Sequence, residues 1–522
     1  MHPAVYFNNP AQPTLLIVAT NNLCHHMLSH CPGALLRARG LISATTTTTE
    51  HELTSFFQHV KRSSRPVACY VGFDPTADSL HIGNLVSLRV LQVLQHHGFQ
   101  PVALIGGATG LIGDPSGRST ERNMQSTEQI RKNAEGIEAC VRKLLRSSTP
   151  TAPTAPTAPT AGIVDSSKHA TIAQHAPIIV NNLDWYLKQT PLDFIRDVGR
   201  HFRMGSMLSR ESVKSRLDSD SGMSFTEFSY QLFQAYDYLH LYREHNCALQ
   251  IGGSDQWGNI VGGCELVRRA EQLQSENDDP AQVDDNVKVH GLTVPLLTTS
   301  TGEKIGKSAG NAIWVDATKT SPYELYQYFL NIADDDVKQC YSMLAVDPSH
   351  DAETAALEVT CVMEKHHQAP EQRHAQHMLA DAMVSWIHGD DELYGAQQAT
   401  RALFQTQNVN VNINVNVNAN EYAQKGINPN IDWRIALKDA PTCMRHRDKV
   451  LGTSIIVLAT ELGLFSSRGE ARRMVKSGGL YLNQERVEEG ERLLTLKDLI
   501  NNNLLLFRVG RKKYMLVDIV EE

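Results

Sequence analysis

Short apolar runs and amphipathic stretches alternate along the first two thirds of the chain. Apolar runs at 67–73, 102–105, 248–251 and 292–297 predict strands, and each is followed by a turn that contains glycine. Leucines spaced three apart predict an amphipathic helix over 85–97, which Gly98 ends. This alternation is typical of an α/β domain with a parallel sheet, in which ligands lie at the carboxyl ends of the strands.

Helical patterns replace the strands from residue 321 to about residue 401, with candidate helices at 323–330, 352–363 and 374–387. A compact unit follows over 454–517. We therefore predict an α/β domain over 50–340, a helical region over 341–450 and a small C-terminal domain over 451–522. Two low-complexity tracts, a Thr-Ala-Pro repeat at 149–162 and an Asn-Val repeat at 408–420, read as solvated insertions without a function of their own.

Composition narrows the class of protein. The formal net charge of -8 argues against a chain that coats nucleic acid nonspecifically, although local basic patches could hold one structured RNA. The nine cysteines form no CxxC pair, which favours a reducing compartment and predicts no metal site. No run reaches the ~18 apolar residues of a membrane span, so we expect no membrane partner.

The first 49 residues contain no Asp or Glu and are rich in Ser, Thr, Leu and Ala. This composition predicts an organellar transit peptide over 1–49. A disordered extension that carries no address is the alternative.

Two distant segments contain groups suited to a polyphosphate. The first runs from Tyr70 through His81 and Asn84 into the predicted helix, and the second is Lys304-Ile-Gly-Lys307-Ser308. Helix N-termini favour anions, and lysines on a glycine-flanked loop can fold over phosphates. Taken alone, a His-x-Gly sequence is usually a capped helix start, and two lysines three apart are usually a solvated face.

Both segments resemble the paired signature sequences of class I aminoacyl-tRNA synthetases, read here as HIGN and KIGKS. The flanking sequence is similar to the tyrosyl branch of bacterial and mitochondrial type. The resemblance implies a Rossmann-like catalytic domain, a helical anticodon-binding region and an S4-like α+β RNA-binding domain at the C-terminus. It covers 65–340 strongly, the C-terminal unit moderately and 341–450 weakly.

The resemblance implies that the chain works by positioning ATP and stabilising charge on its phosphates, without a covalent nucleophile. The implied catalytic residues are His81, Asn84, Lys304, Lys307, Ser308 and Arg118. The implied ATP contacts are Gly72, Asp74, Thr76, His81, Gly83, Gly253, Asp255, Leu297 and Lys307.

The same resemblance implies contacts to tyrosine by Tyr70, Asp114, Tyr230, Gln234, Asp237, Gln250 and Gln256, and contacts to tRNA by Arg468, Arg472, Arg473 and Lys476. Spacings of four and three independently place Tyr230, Gln234 and Asp237 on one helix face. Tyr70 and Asp237 would bond the substrate phenol, whereas Asp114, Tyr230 and Gln234 would hold the ammonium.

The implied activity is ligation of L-tyrosine to tRNA(Tyr) with ATP, in organellar and specifically mitochondrial translation. Mg²⁺ would accompany ATP, with no tightly bound prosthetic group, and the chain would form a homodimer. A tryptophanyl enzyme is the alternative within the class, since it shares the fold and the ATP site. From another class, an RNA-binding protein on an inactive synthetase scaffold, such as a splicing helper, stays open.

Overall fold

The computed structural model describes residues 31–63, 65–116, 125–145, 175–219, 222–275, 289–308, 311–404, 442–483, 485–500, 502–510 and 513–521. The chain divides into two compact units, one of residues 1–320 with 330–383 and one of 321–329 with 384–522. Both predicted low-complexity tracts, and the first thirty residues of the predicted transit peptide, lie outside the described residues.

The first unit is built on a six-stranded sheet. Its strands are β1 (Ala44–Thr45), β2 (Ala68–Phe73), β3 (Gln100–Ile105), β4 (Ile178–Asn181), β5 (Cys247–Gly253) and β6 (His290–Val294). They lie in the order β1-β6-β5-β2-β3-β4, and every neighbouring pair is parallel except β1 with β6. The predicted fold class, an α/β catalytic domain with a parallel sheet, is confirmed. A two-stranded ribbon follows, β7 (Lys307–Ser308) with β8 (Asn311–Ala312).

Helices flank this sheet along the chain. They are α1 (Pro32–Ala38), α2 (Glu50–Arg62), α3 (Ile82–His96), α4 (Thr109–Ile112), α5 (Thr127–Leu144), α6 (Leu183–Tyr186), α7 (Pro191–Asp197), α8 (Met204–Leu208), α9 (Glu211–Leu217), α10 (Phe225–His245) and α11 (Trp257–Ser275). Two of them position the site. The α3 helix begins three residues earlier than predicted, so Gly83 and Asn84 lie in its first turn. The α10 helix starts at a Ser224 cap, whose hydroxyl accepts from Glu227 N, and ends at left-handed Asn246.

Residues 31–49 are part of the fold, which corrects the predicted domain start at residue 50. Leu35, Leu36 and Leu41 are fully buried, and β1 pairs with β6 at the sheet edge. Arg39 is 1% exposed and donates from Nε to Ser342 O and from Nη2 to Met343 O. A segment with this much buried apolar surface belongs to the catalytic unit, although its composition resembles that of a transit peptide.

The chain is helical from 322 to 404. The helices are α12 (Pro322–Leu330), α13 (Asp334–Cys340), α14 (Ala352–Gln368), α15 (His374–His388) and α16 (Asp390–Phe404), with a π-helical turn at Tyr341–Ala345. Residues 330–383 group with the first unit and 384–404 with the second. The predicted helical region over 341–450 is therefore not one compact unit among the described residues.

The C-terminal domain has its own sheet and core. Its elements are β9 (Thr442–His446), α17 (Arg447–Val450), α18 (Ile455–Glu461), α19 (Arg468–Lys476), β10 (Leu480–Leu482), β11 (Glu485–Arg486), β12 (Leu504–Val509) and β13 (Lys513–Val520). The strand order is β11-β10-β12-β13-β9, and β9 pairs in parallel with β13. The domain therefore begins by residue 442, before the predicted start at 451. It is the expected α+β module.

Candidate active site

The two signature segments meet at the start of α3. A Cβ built on Gly306 of the KIGKS segment would lie 3.2 Å from Ile82 Cβ, and Ile82 N donates to Ile313 O at 3.1 Å. His81 precedes the helix and is exposed, and its backbone N donates to Asn84 Oδ1 at 3.1 Å. A Cβ on Gly83 would approach the His81 ring to 2.9 Å. Glycine at this position therefore leaves room for the imidazole as well as for an incoming ligand.

The lysine-bearing loop is a closed turn. Leu297 O accepts from Ile305 N at 2.8 Å, and Thr298 bridges Lys304. Ser300 N donates to Asp336 Oδ1, which ties the loop to α13. The Lys304 side chain is exposed. The predicted strand over 292–297 ends at Val294, so Leu297 lies on this loop and its carbonyl already bonds Ile305.

A buried hydroxyl on β2, that of Tyr70, lies near a buried carboxyl on α10, that of Asp237. The Tyr70 side chain is 1% exposed, and its hydroxyl has no hydrogen-bond partner among the described residues. Burial, followed by the charge of Asp237, raises the pKa of Tyr70 well above its ordinary value. A buried hydrogen-bond donor without a partner destabilises the fold. The space beside the Tyr70 hydroxyl therefore fits a ligand that brings a polar group to it.

Asp237 is held from two sides by residues that the sequence analysis missed. Asn182 Nδ2 donates to Oδ2 at 3.0 Å, and Trp185 Nε1 donates to Oδ1 at 3.1 Å. Burial raises the Asp237 pKa to about 7, and these hydrogen bonds oppose the rise. The carboxylate is therefore oriented while remaining near its titration point. A signal was available, because Asn182 directly follows β4 at the carboxyl edge of the sheet.

Two carboxylates, those of Asp74 and Asp114, lie near the Tyr230 hydroxyl. The Tyr230 hydroxyl donates to Asp74 Oδ2 at 2.9 Å, and Thr109 Oγ1 donates to Asp74 Oδ1 at 2.7 Å. Asp114 is 6% exposed and accepts from Gln256 Nε2 at 2.6 Å. Burial and the charge of Asp74 raise the Asp114 pKa to about 6, although its hydrogen bonds oppose the rise. Two acids that disfavour each other's ionisation fit a cationic ligand group.

Two predicted glutamines lie on consecutive elements, Gln234 on α10 and Gln250 on β5. Gln234 Oε1 accepts from Asn259 Nδ2 at 2.9 Å, which fixes the amide of Gln234. Gln250 on β5 is 2% exposed, and its Oε1 has no hydrogen-bond partner within the described parts of the chain. Of the seven predicted tyrosine contacts, Tyr70 lies on β2, Gln250 on β5, and Tyr230, Gln234 and Asp237 on α10, whereas Asp114 follows α4 and Gln256 directly precedes α11.

The predicted ATP contacts are spread over strand ends, the first turn of α3 and the loops that follow the strands, and some of them are exposed. Gly72 and Thr76 are exposed. The Asp255 carboxylate lies against Gly253, since a Cβ built at Gly253 would be 2.5 Å from Asp255 Oδ1. Three predicted groups cannot be placed. Arg118 lies outside the described residues, and Lys307 and Ser308 are described by their backbones alone.

The predicted tRNA contacts share the exposed face of α19. Arg468, Arg472, Arg473 and Lys476 are all exposed. Arg472 is not free of partners, because Nε and Nη2 both donate to Glu491 Oε1, at 2.9 and 2.6 Å. The helix presents positive charge, and an acidic neighbour occupies one of its arginines.

Comparison with known families accounts for this geometry. Residues 61–405 match the model of class I tRNA synthetases for tryptophan and tyrosine. The chain belongs to the class I tRNA synthetases. Residues 432–517 of this synthetase also match the C-terminal domain model of tyrosine--tRNA ligases. The start of that match agrees with β9 as part of the C-terminal domain.

Relatives of this synthetase span most of its length. A mitochondrial tyrosine--tRNA ligase of Drosophila melanogaster is 41% identical over 86% of each chain. A tyrosine--tRNA ligase of Rhodopirellula baltica is 36% identical over 97% of this chain and 99% of its own. A C-terminally truncated mitochondrial tyrosyl-tRNA synthetase of Aspergillus nidulans has a similar solved structure, with a TM-score of 0.57 and 33% identity, covering 71% of this chain and 93% of its own.

Proposed function

We propose that this chain is a tyrosine--tRNA ligase that activates L-tyrosine with ATP and transfers it to tRNA(Tyr). The observation that carries the choice of amino acid is the buried Tyr70 hydroxyl near Asp237. A tyrosine phenol would accept from Tyr70 and donate to Asp237. Phenylalanine would leave the buried Tyr70 hydroxyl without a partner, which costs about 1–3 kcal/mol, and would give Asp237 no donor beyond Asn182 and Trp185.

The rest of the substrate fits the remaining groups. The ammonium of tyrosine would sit between Asp114 and the Tyr230 hydroxyl, with Gln234 alongside, where the raised carboxyl pKa favours a cation. Gln256 would lie beside the substrate carboxylate, and Gln250 would support the pocket behind it. The amino acid is thereby oriented with its carboxylate towards the exposed edge that carries His81.

Adenylate formation needs no covalent enzyme intermediate. A carboxylate oxygen of tyrosine bonds the α-phosphorus of ATP while the bond to the leaving pyrophosphate breaks. His81 and Asn84 would donate to the phosphate oxygens, and Lys304 and Lys307 would neutralise the charge that develops on them. Asp255 would take the ribose hydroxyls. In the second step the terminal ribose hydroxyl of tRNA attacks the tyrosyl carbonyl carbon, and AMP leaves.

Mg²⁺ would enter with ATP. This ion keeps much of its water and prefers phosphate oxygens, so ATP would supply most of its ligands. Asp74 and Asp114 are engaged by Tyr230 and Gln256, which suits them to the ammonium more than to a metal.

The direct test is ATP–pyrophosphate exchange by the full chain with tyrosine, phenylalanine and tryptophan. Exchange that depends on tyrosine is expected. Exchange with tryptophan in its place would support the tryptophanyl alternative. Absent exchange in folded protein that still binds RNA would support the inactive-scaffold alternative.

We propose further that the chain forms a homodimer through an apolar surface on the first unit. Leu192, Ile195 and Phe225 are 81%, 58% and 78% exposed. Ile195 and Phe225 also line an apolar cavity of about 650 Å³, together with residues such as Phe194 and Phe228. An isologous dimer would place this patch against its own copy.

Leu192→Asp with Phe225→Asp should give monomers in sedimentation. Leu357→Asp is the matched control, because Leu357 is 59% exposed on α14. A dimer that survives the double change would disprove this interface.

We also propose mitochondrial targeting by a segment that ends before Cys31. The acid-free composition of the first 49 residues supports targeting, and the burial of Leu35, Leu36 and Arg39 requires that cleavage spares them. N-terminal sequencing of the protein from purified mitochondria tests both points. A mature chain that begins near residue 50 would contradict a targeting segment that ends before Cys31. A protein that is excluded from mitochondria would contradict mitochondrial targeting.

The face of α19 is the proposed tRNA contact. Arg468, Arg473 and Lys476 would neutralise backbone phosphates, together with Arg472 once it leaves Glu491. Replacing Arg468 and Arg473 by Ala should weaken tRNA binding and leave tyrosine-dependent exchange intact. Equal loss of both activities would contradict a role confined to RNA.

A further inference from the structure

The chain segment that follows the KIGKS loop is joined to the start of α3 by backbone hydrogen bonds. Ile313 N donates to Gly306 O at 2.8 Å, Ile82 N donates to Ile313 O at 3.1 Å, and Val315 N donates to Leu80 O at 2.8 Å. Trp314 and His81 face each other in an antiparallel bridge. The position of the lysine loop relative to His81 is therefore set through residues 313–315.

The side chain of Trp314 lies beside His81. The ring centroids are 6.3 Å apart, and Lys319 Nζ lies over the Trp314 ring at 5.0 Å from its centroid. A cation over an indole face is attracted to the ring, which favours one ring orientation. Trp314 N also donates to Thr320 Oγ1 at 3.0 Å, so the turn that carries Lys319 closes on the tryptophan.

Lys319 is held in turn by Asp78, which lies in the HIGN segment. The two side chains form an ion pair, and their hydrogen bond lowers the pKa of Asp78. The backbone of Asp78 packs closely against Gly136 of α5, since a Cβ built at Gly136 would lie 2.0 Å from Asp78 O. Asp316 N donates to Ser79 Oγ at 3.2 Å beside it. Trp314, Lys319 and Asp78 thus form a continuous chain of contacts from α5 to His81, which we call the 314–319 clamp.

We propose that Trp314 and Lys319 are positioning residues, and that the 314–319 clamp holds His81 and the lysine loop in register for adenylate formation. Neither residue belongs to the tyrosine pocket. The clamp acts where charge develops on the phosphates, so its loss should slow the chemical step and spare tyrosine affinity. This inference rests on the proposed function.

Rate and stability should separate in the variants. The Asp78 and Lys319 side chains are 36% and 29% exposed, and ion pairs with this much exposure add little to stability. Misplacement of catalytic groups by an ångström can cost roughly a hundredfold in rate. A role that is only structural would change the unfolding temperature and the tyrosine affinity together with the rate.

The experiment measures single-turnover formation of tyrosyl-adenylate by the full chain at saturating ATP, with tyrosine affinity and unfolding temperature measured alongside. Trp314→Ala should slow adenylate formation by roughly ten- to a hundredfold with tyrosine affinity unchanged. Trp314→Phe, which keeps an aromatic face, should restore most of the rate. Lys319→Met should slow the reaction several-fold, and Lys319→Arg should not. Lys338→Met on α13 is the control for loss of an exposed lysine.

Wild-type rates in folded Trp314→Ala or in Lys319→Met would overturn the proposal, and so would parallel losses of rate and tyrosine affinity. If Trp314→Ala fails to fold, the comparison of Lys319→Met with Lys319→Arg decides. Failure of the proposed function is distinguishable, because the wild-type chain would then form no adenylate with tyrosine.

Discussion

Replacement of Trp185 by Phe removes one hydrogen bond from Asp237 and retains most of the aromatic bulk. The lost bond is the 3.1 Å contact from Nε1 to Asp237 Oδ1. Hydrogen bonds to charged groups contribute about 1.5–3 kcal/mol, and about 1.4 kcal/mol corresponds to one pKa unit. Because this bond stabilises the ionised carboxylate, its loss should raise the Asp237 pKa from about 7 to roughly 8–9.

The consequence is a change in tyrosine affinity that depends on pH. Near pH 7.5, a carboxyl with a pKa of about 7 is about three-quarters ionised, whereas one at 8–9 is roughly a quarter to a thirtieth ionised. Since the ionised form accepts the phenol proton, Trp185→Phe should weaken tyrosine binding by about three- to twenty-fivefold at this pH. Affinity should recover as the pH rises towards 9.5.

The assay is the KM for tyrosine in pyrophosphate exchange between pH 6 and pH 9.5. The wild-type KM should rise as pH falls through about 7, and the inflection should move upward in Trp185→Phe. Phenylalanine is the internal control: it has no phenol, so its KM should follow only the Asp114 carboxyl, whose pKa is about 6. Identical tyrosine profiles for the variant and the wild type would refute the reasoning, as would a matching shift for phenylalanine.

Other contacts give further predictions. Arg216 and Glu227 form an ion pair at 1% and 3% exposure, so Arg216→Ala should lower the free energy of unfolding by about 3–5 kcal/mol in chemical denaturation. Arg216→Met with Glu227→Leu should cost little, and equal losses of stability in the two variants would contradict this. Glu491→Gln should free Arg472 and raise tRNA affinity by up to about fivefold in filter binding, and lowered affinity would contradict the competition. A chain that begins at residue 31 should have the unfolding temperature of the full chain. One that begins at residue 50 should unfold at a lower temperature, because it loses three buried leucines whose burial contributes about 1.5–3 kcal/mol each. Equal unfolding temperatures of the two shortened chains would disprove a structural role for 31–49.

The sequence was sufficient for four of the six strands of the first sheet and for the motifs at its edge, whereas β1 and β4 were not predicted. Strands β2, β3 and β5 carry apolar runs, and His81 and Lys304 stand in segments whose residue order specifies their chemistry. The helical spacing of Tyr230 and Asp237 also survives in α10. These features are local, so periodicity and motif order record them directly.

The residues that orient Asp237 depend on distant contacts. Asn182 and Trp185 lie on and beside the four-residue helix α6, which is too short to show a period. The predicted transit peptide extended to residue 49 because composition does not show that Leu35, Leu36 and Leu41 are buried in the fold. Strand β9 was missed because its side chains alternate between exposed and half-buried, and its pairing partner β13 lies some seventy residues later.

The central claim is that Tyr70 and Asp237 select tyrosine by its phenol. The most direct measurement is the ratio of kcat/KM for tyrosine to that for phenylalanine, in pyrophosphate exchange by the wild type and by Asp237→Ala, with Tyr70→Phe as the milder second change. The ratio should fall by at least about tenfold in Asp237→Ala, since the phenol loses a charged acceptor. A ratio equal to that of the wild type, in a folded variant that still exchanges, would contradict the assignment.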